Sequence, residues 1–234
     1  MALKEGNGVT AWSYSRLSDY QQCPAKFKYK HIDKLSDPPG PAMARGVEMH
    51  KLAEDYFNAA RKPRKPPAGF ERFAHLLSHW RGKKTQAEKE VVLGKNWSAI
   101  GNVKASRLWF HPEAWLRVKM DVYRRADAGA TATIADWKTG KRYSAHNEQA
   151  ELYGLAALVA SPELNEAVVH MCYVDQKVDN HSVKAVFRED VPELVERWSA
   201  KIAPMFNDTK FAMKPGPLCG WCAYSRAKGG PCAH

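Results

Sequence analysis

Asp136 and Lys138 stand two apart at the end of an apolar run, in the segment "ATIADWKTGK" from Ala132 to Lys141. On a β-strand, residues two apart face the same side, so the acid and the lysine project together while Ile134 and Trp137 serve other contacts. Thr139 and Gly140 end the strand and put the pair at a rim that a substrate can reach. A second carboxylate, Asp121, lies in "RVKMDVYRR" between Val118, Met120 and Val122. An acid in apolar company is costly unless it is paired or bound to a cation. Two such acids with one lysine supply what phosphodiester hydrolysis needs: hard cations on oxygen ligands neutralise the phosphate and its leaving group, and an amine orients or deprotonates the attacking water. Taken alone, either pair is more often a surface ion pair than catalytic, Asp121 with a nearby Arg and Asp136 with Lys138. His50 alone reads as a partly buried helix histidine. Gln149 and Tyr153, four apart, form one polar and aromatic helix face.

The elements that must hold these residues follow from periodicity. "SYSRLSDYQQCPAKFKYKHI" has helical spacing, with Ser13 or Ser15 as N-cap and Pro24 opening a second short helix. Met43 to Ala60 reads as an amphipathic helix, "RKPRKPPAG" as a basic, proline-stiffened connector, and Phe70 to Trp80 as another helix. From about Ala87 the period turns toward two, in "EKEVVLG", "ASRLWFH", "AWLRVKMDVYRR" and "ATATIADWKTG", which predicts a meander of strands. "SAHNEQAELYGLAALVA" is helical, with Ser144 as candidate cap; "EAVVHMCYV" and "HSVKAVFRE" are strands, and a helix runs from about Val191 to Phe206. This order predicts an α/β mixed sheet flanked by helices within a single domain spanning 1–234.

Composition sets outer bounds. The 234 residues carry a net charge of +11, spread along the chain, which favours a polyanionic partner such as nucleic acid over mere solubility only when joined to other signals. No apolar run reaches the roughly 18 to 20 residues of a membrane span, and "MALKEGNGVTAWSYS" lacks the order of a signal peptide, so a cytoplasmic setting without membrane contact is expected. Of five cysteines, Cys219, Cys222 and Cys232 crowd the last sixteen residues. "CGWC" is a two-thiolate clamp, Cys232 a third ligand, and Cys23 a fourth from far upstream; four thiolates suit zinc or an iron–sulfur cluster. Cys172, in an apolar strand, reads as a buried thiol.

"RGVEMH", "VKMDVYRR", "TIADWKTGK" and "QAELY", in this order and preceded by "SYSRLSDYQQCPAKFKY", resemble the motif set of RecB-like nucleases of the PD-(D/E)XK superfamily, which includes AddB-type recombination nucleases and CRISPR-associated adaptation exonucleases. The match runs from about Trp12 to Cys232. The resemblance implies a restriction-endonuclease-like fold whose N- and C-terminal segments, 1–35 and 207–234, join at a four-cysteine metal site. His50 would be a metal ligand, Asp121 and Asp136 the metal-binding carboxylates, Lys138 the catalytic lysine and the Trp137 backbone carbonyl a further ligand. Gln149 and Tyr153 would match the QxxxY element that contacts substrate. Asp136 stands where many members have Glu. Glu88 or Glu90 would help position metal or water, with no choice between them. Cys23, Cys219, Cys222 and Cys232 would hold a [4Fe-4S] cluster, with zinc as the alternative, although "AYSRAKGGP" between the last two is longer than that family's usual gap.

The resemblance thus implies a Mg²⁺- or Mn²⁺-dependent deoxyribonuclease. An exonuclease on single-stranded or end-containing DNA is favoured, in recombination, repair or phage DNA processing and in the host cytoplasm if phage-encoded. With no helicase motif such as GxxxxGK[ST], unwinding would come from a helicase or recombination partner. Two rivals differ in kind. A catalytically inactive DNA-binding module of the same fold predicts salt-sensitive binding without cleavage, and a zinc-stabilised structural protein predicts neither. Polarity, strand preference and oligomeric state are not encoded in any motif.

Overall fold

The computed structural model describes residues 6–59, 65–100, 105–126, 129–178 and 180–234. Residues 61–64 of the expected basic connector and 1–5 of the amino-terminal stretch lie outside them. The chain divides into two compact units, one formed by Met1–Pro39 with Val195–His234, the other by Gly40–Leu194. No described helix is long and apolar enough to cross a membrane.

In the first unit, α1 (Tyr14–Gln22) starts at Ser13, whose hydroxyl accepts the Arg16 N–H at 3.4 Å. The short α2 (Pro24–Phe27) opens on Pro24, where the missing N–H costs nothing, and runs into a π-turn over Lys28–Ile32. Chain ends meet here through aromatic packing: Trp12 stacks on Trp198 at 6.0 Å and Phe27 on Phe211 at 6.1 Å. The Asn7 side-chain amide lies 2.9 to 3.0 Å from the carbonyls of Met205, Phe206 and Asp208, so it satisfies acceptors that the end of a helix leaves open. Asp19 gathers His31, Lys26 and Lys30 at 2.9, 3.1 and 3.3 Å. Burial works to raise its carboxyl, but these partners, the His31 hydrogen bond foremost, hold it well below the usual carboxylate range.

The second unit is a five-stranded mixed sheet flanked by helices. After α3 (Pro41–Asn58) and α4 (Ala74–Trp80) come β1 (Thr85–Leu93), a helical turn α5 (Ala105–Leu108), β2 (Leu116–Arg125), β3 (Thr131–Lys138), α6 (Ala145–Ala160), β4 (Glu166–Tyr173), β5 (His181–Phe187) and α7 (Val191–Asn207), the last crossing the boundary between units. Strand order follows the sequence; β1, β2 and β3 form an antiparallel meander, β4 adds parallel to β3 after α6, and β5 pairs antiparallel with β4. One expected strand is corrected. "ASRLWFH" contributes a helical turn and then leaves regular structure, within the connection between β1 and β2, which pair directly with each other. Ser144 precedes α6 but makes no side-chain cap.

The core explains how the strands are oriented. Ile134 through Trp137 are all buried, as expected of a strand covered on both faces. Trp137 points into one layer, ringed by Phe70, Phe73 and Trp80 at 4.9, 5.8 and 5.9 Å and joined by Met49, Ala53, Val122, Ala135 and Cys172. Emptying such a position costs on the order of 3 to 5 kcal/mol, which pins the strand's facing. Residues 134, 136 and 138 must then turn to the opposite layer, that of α6. There Gly154 lets the helix approach: a Cβ on it would lie 2.6 Å from Cγ2 of Val186.

Candidate active site

Register alone lines up three acids. On β1 and β2, Ala87 pairs with Val122 and Lys89 with Met120, so Glu88 stands opposite Asp121; on β2 and β3, Val122 pairs with Ala135, so Asp121 stands opposite Asp136. Glu88 is held at a φ of 52°, in the left-handed region that non-glycine residues rarely occupy, and it ion-pairs with Lys119. From α3, His50 reaches the same row. One ligand atom each from His50, Glu88 and Asp121 lies within 4.8 Å of the others, so of the two glutamates left open by sequence it is Glu88, not Glu90, that converges.

Asp121 is buried at 7% exposure and each oxygen is engaged: Oδ2 accepts the Trp137 backbone N–H at 2.7 Å, and Oδ1 faces Nδ1 of His50 at 3.0 Å. Burial pushes its carboxyl upward and the charge of Asp136 adds to this, against the pull of His50. For His50, burial acts to lower the imidazole, but the hydrogen bond and charge of Asp121, then the charge of Asp136, carry it to about 9. Neither acid is a surface ion-pair partner, and Asp121 has His50 rather than an arginine beside it.

Asp136 is only 3% exposed. Lys138 Nζ lies 2.7 Å from its Oδ2, an ion pair held at an oxygen sealed from solvent. Buried carboxylates on adjacent strands, with Glu88 and an imidazole converging on Asp121, supply more negative charge than the single Lys138 offsets and fit a hard divalent cation. On α6, Gln149 Nε2 donates to the Tyr153 hydroxyl at 2.7 Å. Burial drives that phenol well above its ordinary range, and the charges of Asp136 and Asp121 reinforce it, which sets the Gln149–Tyr153 pair beside the acids. The Trp137 side chain belongs to the core, leaving only its backbone to the site. Ile134 shares the face of Asp136 and lies fully buried.

The remaining predicted ligands lie in the other unit. Cys23, Cys219, Cys222 and Cys232 line one cavity of about 530 Å³ with Lys26, Tyr29 and Trp221. Backbone N–H groups of Lys214 and Gly216 donate to the sulfurs of Cys23 and Cys219 at 3.5 and 3.3 Å. Among the described residues no three thiols come within 4.8 Å of one another. A tetrahedral zinc with bonds of about 2.3 Å would need neighbouring sulfurs about 3.8 Å apart, so the four share a cavity without forming a closed single-ion site. Cys172 is fully buried in the sheet core, as expected of an inert thiol.

No curated protein matches the chain. Among solved structures, a proposed exonuclease from Eubacterium rectale is similar at 13% identity and a TM-score of 0.48, covering 95% of this chain and 92% of that one. An alkaline exonuclease from Laribacter hongkongensis is similar at 12% identity and a TM-score of 0.42, covering 85% and 89%. The model of the PD-(D/E)XK nuclease superfamily matches residues 11–227, nearly the whole length, and the chain belongs to that superfamily.

Proposed function

We propose that this protein is a RecB-like, Mg²⁺- or Mn²⁺-dependent deoxyribonuclease that acts as an exonuclease on single-stranded or end-containing DNA. The observation that carries the reading is the row of Glu88, Asp121 and Asp136 across three adjacent strands, closed by His50 and flanked by Lys138. Asp121, Asp136 and His50, with Glu88 and the Trp137 carbonyl, would hold the ion, which supplies Lewis-acid activation of water and neutralisation of the leaving alkoxide. The chain's own contributions are positional. The Trp137 N–H fixes the Asp121 carboxylate, leaving one oxygen toward His50. Lys138 orients the attacking water and takes up charge beside Asp136. Gln149 and Tyr153, whose phenol is held by hydrogen bonds to Gln149 and Asp136, would contact substrate beside the acids, and the net charge of +11 draws in the polyanion.

We further infer that the four-cysteine cavity holds a [4Fe-4S] cluster, zinc being the alternative. Support comes from four thiols around one cavity too open for a single tetrahedral ion, with backbone N–H groups already directed at two sulfurs. The cluster is structural and ties both chain ends into one unit. A helicase or recombination partner, a cytoplasmic setting and an origin in phage or recombination systems belong to this reading as expectations.

The test is a cleavage assay on end-labelled single-stranded, double-stranded and circular DNA with the metal varied. Release of labelled nucleotides from ends, dependent on Mg²⁺ or Mn²⁺, is the expected result. Salt-sensitive binding without cleavage under any metal would replace the enzyme with an inactive DNA-binding module.

A further inference from the structure

Four histidines lie apart from the carboxylate row, all within the Gly40–Leu194 unit: His75 and His79 on α4, His170 on β4 and His181 on β5. Nδ1 of His170 and Nε2 of His181 are 2.8 Å apart, and the rings stack with centroids at 5.0 Å and planes 10° apart. His181 pairs with Cys172 across the strands, so it lies diagonal to His170 on the face that Cys172 turns to the α4 layer. Trp80, which follows His79, meets the His170 ring edge-on at 5.0 Å and so brings this end of α4 over the pair. His75 and His79 are four apart on one side of that helix, the spacing at which two imidazoles can grip one ion. Burial lowers both paired rings first, His170 to about 4; the neighbouring charges act in the same direction, those of His181 and His79 on His170 and that of His75 on His181.

Both rings of the pair are therefore neutral near pH 7. Two neutral imidazoles hold two protons between them. With both protons on the outer nitrogens, two inner lone pairs face each other, near the roughly 3.3 Å edge of a tetrahedral ion with metal–nitrogen bonds of about 2.0 to 2.1 Å. No proton is gained or lost in that exchange.

We propose that His170 and His181, joined by His75 and His79 from α4, bind a divalent transition-metal ion of the zinc class at a site separate from the carboxylates and the thiols. No three of these nitrogens lie within 4.8 Å of one another as the chain stands; His75 and His79 are exposed on the helix whose Trp80 packs on His170, and their charges act on His181 and His170 respectively, which sets them as the ligands to be recruited when the ion binds. Imidazole without carboxylate favours zinc, copper or nickel over magnesium. The bound ion staples α4 to the β4–β5 hairpin and steadies the helix whose Trp80 packs on Trp137, next to Asp136.

The test is a Zn²⁺ titration of the full chain followed by imidazole-detected NMR, with metal content measured after dialysis. Wild type is compared with His75→Ala/His79→Ala, whose changes fall on exposed helix surface, and with His181→Ala. Wild type should retain one more zinc equivalent than either variant, zinc should shift the His170 and His181 ring nitrogens, and zinc should raise the wild-type melting temperature more than the variants'. Equal zinc retention in all three proteins, with the His170 and His181 resonances unmoved, overturns the proposal.

Discussion

The carboxylate row and the thiol cavity are both built from residues distant in sequence, yet they are prepared to different degrees. Glu88, Asp121 and Asp136 sit on paired strands, so hydrogen-bond register spaces them before any ligand arrives, and the Trp137 core holds their facing. The four thiols come from a short helix start and an irregular tail whose regular structure amounts to brief 3-10 turns. They share a cavity without converging. A sheet can preorganise a site by backbone pairing alone, whereas a tail relies on what it binds.

The sharpest way to break this contrast is at the acids. Asp121→Asn, Asp136→Asn and Lys138→Ala, made separately, should each lower nuclease activity at least about a thousandfold, roughly 4 kcal/mol of transition-state stabilisation, with the circular-dichroism spectrum of the folded chain retained. Retained activity in all three would remove the row from the chemistry. At the thiols the expected effect falls on stability. Cys219→Ser should abolish iron content and visible absorption and cost on the order of 4 kcal/mol in denaturant unfolding, as for opening a long cross-linked loop; unchanged metal content and melting temperature would dismiss the staple.

A smaller effect concerns Asp19, which anchors the same unit without metal. Its carboxyl titrates lower folded than unfolded, so its contribution is present above the unfolded value near about 4 and is lost as pH falls toward the folded one. Asp19→Asn should cost about 2 to 3 kcal/mol at neutral pH and flatten the acid limb of the stability profile below about pH 4, measured by urea unfolding across pH. An unchanged acid limb would assign the acid sensitivity elsewhere. Least of all, Gln149→Ala should lower kcat/KM about fivefold, near 1 kcal/mol, through loss of its bond to Tyr153; no kinetic change would make the pair a packing contact only.

Much of this molecule can be read before folding. The switch of period from helix to strand marks β1 through β5, and Pro24 and Ser13 mark helix starts. "ASRLWFH" misleads because aromatic and apolar alternation signals a strand only where the segment is paired, and here it lies in the connection between the directly paired β1 and β2, where it starts as a helical turn. The choice between Glu88 and Glu90 was likewise closed to sequence. Both share a strand face, and only the register opposite Asp121 and the left-handed backbone at Glu88 separate them. The histidine pair across β4 and β5 carried no motif at all, since eleven residues separate its members and a hairpin brings them together.

The amino-acid sequence by itself determined residue chemistry and order: which acids, lysine, histidine and thiols exist, and that they follow the arrangement of a nuclease superfamily. Tertiary structure alone decided that Asp121 is buried between a backbone N–H and an imidazole, that Asp136 is sealed from solvent against Lys138, and that the four thiols stop short of one another. The physical reason is that a side chain's type is local, whereas its desolvation, its partners and its spacing depend on chain segments that only folding brings together.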